Sequence, residues 1–421
     1  MAELAIHGGT PVRSEPLPTS MIGAALIGEE ELAQLADVVR EKSPFRHYGI
    51  GTPTKVAQVE TQMRNVFGSK YALAVSSGSA ALSCAFAAAG LGPDDEVIIP
   101  SFTWYSDYCA LVTTGITPMF AEIGPDLCMD PADFERKINS RTKAVVVVHY
   151  QGCPAEIEEI VEIARRHNII VIEDCAQSFG AEYHGKLVGT FGDIAIFSFQ
   201  THKLITCGEG GLVLTDNEEL FVRAVRYHDL GFVRPHFAAL LEHPELAGAE
   251  TSFAGDQYRM SELSGAFLLG QMGKLDHILK TCRAWHRMLC CRYASNPHFS
   301  IRNKEGDSGI NFVLQLPTPE LAQKFKDWVS AEGINCDPTS GSNNLLTQYP
   351  VKSKAMIHPD LPPFGPGCHG EGIVYTPENY CPNTESILAR TVVIGIGPAF
   401  TEQDILDIMA AIDKVDAVLF Q

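Results

Sequence analysis

Several features are absent from this 421-residue chain, and each absence excludes a class of protein. The twelve cysteines include no Cys-x-x-Cys pair, which is the usual signature of zinc ribbons and dithiol redox sites. Cys368-His369 has no second pair at a matching spacing. No apolar run approaches the roughly 20 residues that a membrane-spanning helix needs. The first residues lack the basic segment and apolar core of a signal peptide. We therefore expect a cytoplasmic protein with reduced thiols, no metal site and no membrane association.

Basic residues are also few. The chain has 32 Lys and Arg against 51 Asp and Glu, which gives a formal net charge of −19. This balance argues against nucleic-acid binding, because that function needs a cationic surface. Internal repeats and low-complexity tracts are absent as well. What the chain does have is 45% hydrophobic residues, enough for a large core that we expect to divide into two domains.

Helix-like and short apolar strand-like runs alternate from about residue 24 to residue 275. Such alternation indicates an α/β fold with a mainly parallel sheet covered by helices on both faces. A helical stretch over residues 261–292 leads into a smaller unit, which we interpret as α+β. The sequence therefore predicts a large domain over residues 1–275, which includes the N-terminal segment, and a small C-terminal domain over residues 276–421.

Lys203 lies between an apolar strand-like run, residues 193–200, and the glycine-rich stretch Cys207-Gly-Glu-Gly-Gly211. A lysine held at the edge of a rigid sheet is partly desolvated, which lowers its pKa and makes the amine a nucleophile able to form Schiff bases. An isolated lysine would more simply be a solvated surface residue. Its neighbours along the sequence favour the chemical interpretation.

Three other strand-like runs end in residues that suit one cofactor. Asp174 is a carboxylate at a strand end, and Trp104 follows another strand, where its ring can lie on a planar ligand. Gly78 and Ser79 open a small, apolar helix whose free N–H groups form a natural phosphate cradle. With the amine of Lys203, this combination predicts pyridoxal 5′-phosphate (PLP).

Nearly the whole chain then resembles the DegT/DnrJ/EryC1/StrS family of PLP-dependent sugar and cyclitol aminotransferases, which have the aspartate-aminotransferase fold, type I. The motifs that carry the resemblance are His7-Gly-Gly-Thr-Pro11, Val75-Ser-Ser-Gly-Ser-Ala-Ala-Leu82, Gly92-Pro-Asp-Asp-Glu-Val-Ile-Ile-Pro100, Glu173-Asp-Cys-Ala-Gln177, Gly189-Thr-Phe-Gly-Asp193, Ser198-Phe-Gln-Thr-His-Lys203, Gly208-Glu-Gly-Gly211 and Tyr258-Arg-Met-Ser-Glu262.

The resemblance implies a role for each matched residue. Lys203 matches the lysine that binds the cofactor and moves the substrate proton, and Asp174 matches the partner of the pyridine nitrogen. Gln177 matches a contact of the phenolic oxygen, and Trp104 the aromatic stacked on the ring. The implied phosphate contacts are Gly78, Ser79 and Ser198.

Two positions depart from the family pattern. The family has an asparagine, supplied by the neighbouring subunit, in a Gly-Tyr-Asn-Tyr-Arg-like segment, whereas this chain reads Gly255-Asp-Gln-Tyr-Arg259. Gln257 offers the same amide on a longer arm, so the resemblance implies a homodimer with shared sites. His202 precedes the lysine, and some related dehydratases have histidine in place of the lysine. Here Lys203 is retained, which disfavours a dehydratase.

The resemblance implies transfer of an amino group from L-glutamine or L-glutamate to a keto-sugar or keto-cyclitol, as in antibiotic and other secondary-metabolite biosynthesis. The Phe199-Gln200 pair and the stretch of residues 208–211 are closer to the keto-cyclitol branch. The segments expected to recognise the acceptor, residues 336–344 and 358 onward, do not match the usual pattern. Two alternatives stay open: an aromatising PLP lyase of the 3-amino-5-hydroxybenzoate synthase type, and a non-catalytic PLP-binding protein.

Two further features have competing interpretations. His149 matches a family position at a strand end near the site, although a structural histidine with satisfied hydrogen bonds is at least as good an interpretation. The Pro/Gly-rich stretch of residues 359–377 is predicted to be a long ordered loop over the site, with a plain surface loop as the simpler alternative.

Overall fold

The computed structural model describes residues 3–338 and 343–421. Its strands, in chain order, are β1 (Tyr71–Val75), β2 (Glu96–Pro100), β3 (Thr117–Ala121), β4 (Thr142–Val148), β5 (Ile170–Asp174), β6 (Glu182–Tyr183), β7 (Lys186–Leu187), β8 (Ile194–Ser198), β9 (Gly211–Thr215), β10 (Ser300–Ile301), β11 (Asn311–Gln315), β12 (Asp337–Pro338) and β13 (Thr391–Gly395).

The α-helices, in chain order, are α1 (Glu29–Glu41), α2 (Lys55–Phe67), α3 (Gly78–Ala88), α4 (Ser106–Thr113), α5 (Pro131–Lys137), α6 (Ile157–Arg166), α7 (Glu218–His228), α8 (Pro235–Ala238), α9 (Glu262–Met272), α10 (Leu275–Tyr293), α11 (Pro319–Ala331), α12 (Tyr349–Lys352), α13 (Pro377–Tyr380), α14 (Pro382–Ala389) and α15 (Glu402–Leu419). None of these described helices combines the length and the apolar character needed to cross a membrane.

The main sheet has seven strands in the order β1-β9-β8-β5-β4-β2-β3. Strands β3, β2, β4, β5 and β8 are parallel, and β9 alone runs against its neighbours. The strand sequences explain this arrangement, since runs such as the valines of β4 are apolar on both faces and need cover on each side. The predicted α/β fold with a mainly parallel, helix-covered sheet is confirmed.

A second, antiparallel sheet has the order β10-β11-β13-β12. Helices α10, α11 and α15 contribute apolar residues to the core beside it, which includes Phe312, Phe325 and Ile408. Helix α15 begins with a capping box, in which the Asp404 side chain accepts the N–H of Thr401 at 2.7 Å. This part of the chain is α+β, as predicted.

The division of the chain at residue 275 stays a prediction. Both hydrophobic cores include residues from beyond that division: Leu4 lies in the core beside the small sheet, whereas Leu345 and Leu346 lie in the core of the large sheet. Glu332 helps to hold the N-terminal segment, because its carboxylate accepts the N–H of Ala5 at 2.8 Å.

The prediction that residues 359–377 lie over the site is wrong. His369 pairs with Glu96, the first residue of β2, and Tyr375 donates its hydroxyl to the carbonyl of Pro118 in β3 at 2.7 Å. Both contacts are near the amino ends of their strands, away from the carboxyl edge where the candidate site lies. The stretch folds there because Tyr375 is buried against Phe120, which no local pattern reveals.

Candidate active site

Four turns converge at the carboxyl edge of the main sheet. Strands β1, β2, β5 and β8 run in the same direction, so the turns that follow them open at one edge. Open α/β sheets bind ligands at this edge. These turns hold most of the predicted site residues: Gly78, Ser79, Trp104, Asp174, Gln177, Ser198 and Lys203.

The turn after β1 leads directly into α3. Ser77 is the N-cap of this helix, and its Oγ accepts the N–H of Ala80 at 3.1 Å. The first N–H groups of a helix have no acceptor within the helix, so those of Gly78 and Ser79 are available to a ligand. Helix α3 is small, apolar and largely buried, which fixes its start against the sheet. Such a terminus favours an anion.

Two close approaches define the shape of this turn. A β-carbon at Gly78 would lie 2.8 Å from Cβ of Ser198, and one at Gly211 would lie 2.2 Å from the N-cap carbonyl oxygen. Only glycine therefore lets the turn pack against the ends of β8 and β9. Ser79 donates its hydroxyl to Ser106 Oγ at 2.9 Å, and Ser198 lies directly beside the helix start. The turn is thus bordered by hydroxyl groups.

Lys203 lies in the connection between the antiparallel strands β8 and β9. Its backbone N–H donates to the carbonyl of Gln200 at 2.9 Å, and its carbonyl accepts the N–H of Gly23 at 3.2 Å. Leu204 and Ile205 are fully buried and anchor this connection in the core.

The environment of the Lys203 side chain changes its basicity. Burial lowers the pKa of Lys203 below its ordinary value of 10.5, and the charges of Asp174 and Asp107 offset only part of this effect. A lower pKa leaves a larger fraction of the amine unprotonated, which is the nucleophilic form. The geometry and the electrostatics both suit a lysine that attacks a carbonyl.

Asp174 is the last residue of β5 and is 6% exposed. Its Oδ1 accepts the N–H of Ala176 at 2.8 Å. Burial raises the pKa of Asp174, while the Ala176 hydrogen bond and the nearby Lys203 charge limit the rise. A buried carboxylate of this kind can hold a cationic ring nitrogen in its protonated form.

The preceding residue, Glu173, links β5 to neighbouring segments through hydrogen bonds. Its carboxylate accepts hydrogen bonds from the Nε2–H of His149 at 3.0 Å and from the N–H groups of Gly189 and Gly192 at 2.7 Å each. Burial alone would raise the pKa of Glu173, but these bonds hold it below its usual value. His149 Nδ1 accepts the N–H of Ala155 at 3.0 Å, so both ring nitrogens have a hydrogen-bond partner. His149 is therefore the satisfied structural histidine.

A second buried carboxyl group, which was not predicted from the sequence, lies beside Asp174. Asp107 lies in the first turn of α4, is fully buried, and accepts the hydroxyl of Thr103 on Oδ2 at 2.6 Å. Its carboxyl lies within hydrogen-bonding reach of Asp174. Burial raises the pKa of Asp107 well above its ordinary value, and the Asp174 charge raises it further. The only sequence signal was a carboxylate three residues after Trp104.

The other predicted contacts lie nearer the surface. Trp104 is 56% exposed and Gln177 is half-buried. Gln257 is exposed. The backbone carbonyl of its neighbour Tyr258 accepts the N–H of Ser76 at 2.7 Å, next to the start of α3. The segment that contains Gln257 therefore runs beside the anion-binding turn. The cofactor roles of all the predicted site residues stay predictions.

Within the described residues, two groups bring three metal-ligand side chains together: Asp126, Cys128 and Cys153, and His149, Glu173 and Cys175. In the first group, the Lys304 ammonium already lies 2.9 Å from Asp126. In the second group, His149 and Glu173 are already hydrogen-bonded to each other. The absence of a metal site stays a prediction.

The model of the DegT/DnrJ/EryC1/StrS aminotransferase family matches residues 26–349. An L-glutamine:2-deoxy-scyllo-inosose aminotransferase from Streptomyces kanamyceticus is 37% identical over 371 residues, which are 85% of this chain and 84% of that protein. A relative from Micromonospora echinospora is 36% identical over 289 residues, 68% of this chain, and that match spans 65% of the relative's own length, just under two thirds.

The solved structure of an aminotransferase from Psychrobacter cryohalolentis has the same fold. It superposes with a TM-score of 0.79 at 24% identity, covering 97% of this chain and 100% of that one. The family match extends over the turns that form the candidate site, including the segments that hold Lys203 and Asp174. The chain therefore belongs to the DegT/DnrJ/EryC1/StrS aminotransferase family.

Proposed function

We propose that this chain is a PLP-dependent aminotransferase that moves an amino group from L-glutamine or L-glutamate to a keto-cyclitol or keto-sugar. One observation carries the proposal: the amine of Lys203, with its lowered pKa, and the buried Asp174 carboxyl lie at the sheet edge where α3 begins. An amine, a carboxylate and an anion-binding turn match the aldehyde, ring nitrogen and phosphate of PLP.

The phosphate group fits the start of α3. Gly78 and Ser79 offer backbone N–H groups, and Ser79 and Ser198 offer hydroxyls, so donors surround the anion from two strand ends. The glycine is required because a β-carbon at Gly78 would lie against Ser198. In a dimer, the exposed amide of Gln257 reaches the phosphate of the partner subunit's site.

The ring has a partner for each polar position. Asp174 would hold the pyridine nitrogen in its protonated form, Gln177 would donate to the phenolic oxygen, and Trp104 would cover one face of the ring. The exposure of Trp104 supports this role, because a ring that stacks on a ligand must be accessible before the ligand binds.

Lys203 has two functions. Its unprotonated amine would hold the aldehyde of the cofactor, and once the amino donor occupies that position the same amine would take the proton from the donor's Cα. The cofactor supplies an electron sink for the pair released in that step. The lowered pKa of Lys203 supports both functions, because each requires the unprotonated amine.

The acceptor class follows from the relative and from the surroundings of the site. The Streptomyces kanamyceticus relative is named for L-glutamine as the amino donor and for 2-deoxy-scyllo-inosose, a keto-cyclitol, as the acceptor. Asn343 borders the site, because its carbonyl accepts the N–H of Thr103 at 3.0 Å, whereas residues 339–342 of the same segment lie outside the described residues. A hydrogen-bonding segment at this place suits a polyol.

The proposal extends to the setting of the enzyme. It acts in the cytoplasm, in the biosynthesis of an amino sugar or aminocyclitol antibiotic precursor. It is a homodimer with two shared sites, and each subunit has a large PLP-binding domain over residues 1–275 and a small domain over residues 276–421.

A complete reaction tests the proposed function. Enzyme reconstituted with PLP and given L-glutamine should convert a keto-cyclitol of the 2-deoxy-scyllo-inosose type to its amine, and mass spectrometry would detect the product. Nucleotide-linked keto-sugars are the parallel set of acceptors. The aromatising synthase instead requires water loss from an aminoshikimate-type compound. That reaction, with no aminated product from any keto substrate, would replace the aminotransferase by the synthase.

A further inference from the structure

Two buried carboxyl groups lie beside one amine in the candidate site. Asp107 is fully buried and Asp174 is 6% exposed, and both carboxyls lie close enough to Lys203 to influence its pKa. The carboxyls belong to different elements, Asp107 to α4 and Asp174 to β5, and lie within hydrogen-bonding reach of each other. A single catalytic carboxylate accounts for only one of them.

The hydrogen bonds indicate where a proton must lie. Asp107 Oδ2 accepts the hydroxyl of Thr103, and Asp174 Oδ1 accepts the N–H of Ala176. Asp107 Oδ1 is buried and has no hydrogen-bond partner within the part of the chain that the structure describes. Two carboxylates are both acceptors, so they cannot bond to each other unless one is protonated. A proton on Asp107 Oδ1 turns this unpaired atom into a donor.

We propose that Asp107 is a positioning residue, which carries a proton on Oδ1 and donates it in a hydrogen bond to Asp174. This bond keeps Asp174 ionised and fixes its orientation. The inference rests on the proposed function, in which Asp174 faces the ring nitrogen of the cofactor.

The electrostatic surroundings favour this assignment of the proton. Asp107 is the more deeply buried of the two, and burial followed by the Asp174 charge raises its pKa well above the ordinary value. The same hydrogen bond acts on Asp174 in the opposite direction and limits the rise of its pKa. Lys203 is the basic group beside the pair, and a pair that holds one proton presents a single negative charge to it.

Infrared spectroscopy of the cofactor-free protein tests the protonation directly. Wild-type protein at neutral pH should show the carbonyl band of a buried, protonated carboxylic acid, and Asp107→Asn should remove it. Asp133→Asn is the matched control, because Asp133 is also buried but accepts the N–H of Glu122 and pairs with Arg136. That variant should retain the band. A wild-type spectrum without the band, or a band that survives Asp107→Asn, overturns the proposal.

Two variants of the cofactor-bound enzyme test the positioning role. Asparagine can accept from Thr103 and donate to Asp174, so Asp107→Asn should keep kcat within about three-fold of wild type. Asp107→Ala should lower kcat by about ten- to a hundred-fold with little change in KM, which is the cost of one hydrogen bond to a charged group.

The pH midpoint of the cofactor's visible absorption band distinguishes the two charge states. If Asp107 is neutral, Asp107→Asn leaves the midpoint unchanged. If Asp107 is ionised, its removal takes a negative charge from beside Lys203, the midpoint moves to lower pH, and the proposal fails. Should the wild type bind no PLP, the proposed function fails while the infrared result still decides the protonation of Asp107.

Discussion

At the scale of single residues, the site depends on opposite effects of burial on an amine and a carboxyl. Burial lowers the pKa of Lys203 and raises that of Asp174, so both groups move toward their neutral forms. The neutral amine can attack an aldehyde, and the carboxyl ionises when a cation lies beside it. The two residues therefore suit a ligand that has an aldehyde and a basic ring nitrogen.

Replacing Asp174 by asparagine should separate cofactor binding from catalysis. Asp174→Asn keeps the shape of the side chain but cannot stabilise a protonated ring nitrogen. We expect PLP to remain bound and the half-reaction with the amino donor to slow by at least about a hundred-fold, because the electron sink is weakened. Rapid-mixing absorbance measurements give the rate, and a near-normal rate would remove Asp174 from the mechanism.

A buried histidine outside the site predicts how stability depends on pH. His47 is 3% exposed and lies 3.5 Å from Asp229. That carboxylate is already paired with Arg234 and Arg259, and burial followed by the Arg46 charge lowers the pKa of His47 to about 3. Only the unfolded chain takes up this proton below pH 6.5. The contribution of His47 to the free energy of unfolding is therefore complete above pH 6.5, and it falls as the pH decreases toward 3.

His47→Gln isolates this effect. Between pH 7.5 and pH 5, wild-type protein should lose about 2 kcal/mol of unfolding free energy that the variant does not lose. Urea unfolding at both pH values measures the difference. His277→Gln, at an exposed histidine, is the matched control and should follow the wild type. Parallel pH curves for wild type and His47→Gln would show that His47 is charged in the folded protein.

Some residues of the site were predictable from the sequence and one was not. Lys203, Asp174 and Gly78 lie at the ends of apolar runs, so their place at a sheet edge follows from local pattern and strand direction. Asp107 lies inside a helix, and its importance depends on Thr103 and Asp174 being folded around it. Contacts of that kind arise only from tertiary structure.

At the scale of elements, the junction between β1 and α3 is the most constrained part of the site. The turn must present free N–H groups and pass within contact distance of β8. The N-cap serine gives the helix a defined start, and the apolar sequence of α3 holds it in the core. The position of the anion site is therefore a consequence of packing.

Gly78→Ala tests this constraint. The new β-carbon would lie 2.8 Å from Cβ of Ser198, so the turn must shift away from the sheet. We expect a loss of about 1–3 kcal/mol in stability and weaker PLP binding. Gly92→Ala is the matched control, since a β-carbon there has nothing within 4 Å. Cofactor titration and thermal unfolding measure both effects, and unchanged PLP affinity in Gly78→Ala would contradict the proposed phosphate site.

Helices and strands were predictable from the sequence where the spacing of apolar residues was regular over the whole element. The apolar run of residues 309–316 and the helix-like run of residues 401–419 form β11 and α15. The helical stretch predicted at 261–292 is two helices, because α9 ends at Met272 and α10 begins at Leu275. Gly273 lies between them and is the C-cap residue of α9. The loop of residues 359–377 could not be placed, since its position depends on distant partners.

At the scale of the whole molecule, the proposed dimer has a direct genetic test. Lys203→Ala and Gln257→Ala affect the same shared site from different subunits. When the two variants are co-expressed, each mixed dimer has one site with both changes and one site with neither. We expect activity well above the sum of the separate variants. Activity equal to that sum, or an active monomer in sedimentation experiments, would contradict shared sites.

An amino donor alone is enough to test whether Lys203 and Asp174 form an aminotransferase site. If Lys203 and Asp174 form an aminotransferase site, L-glutamine or L-glutamate should convert the visible absorption band of the PLP-bound enzyme to that of the pyridoxamine form, with no acceptor present. Lys203→Ala should abolish the conversion, and Lys186→Ala, at an exposed lysine, should not. No spectral change with any common amino acid, or a conversion that survives loss of Lys203, would contradict the account.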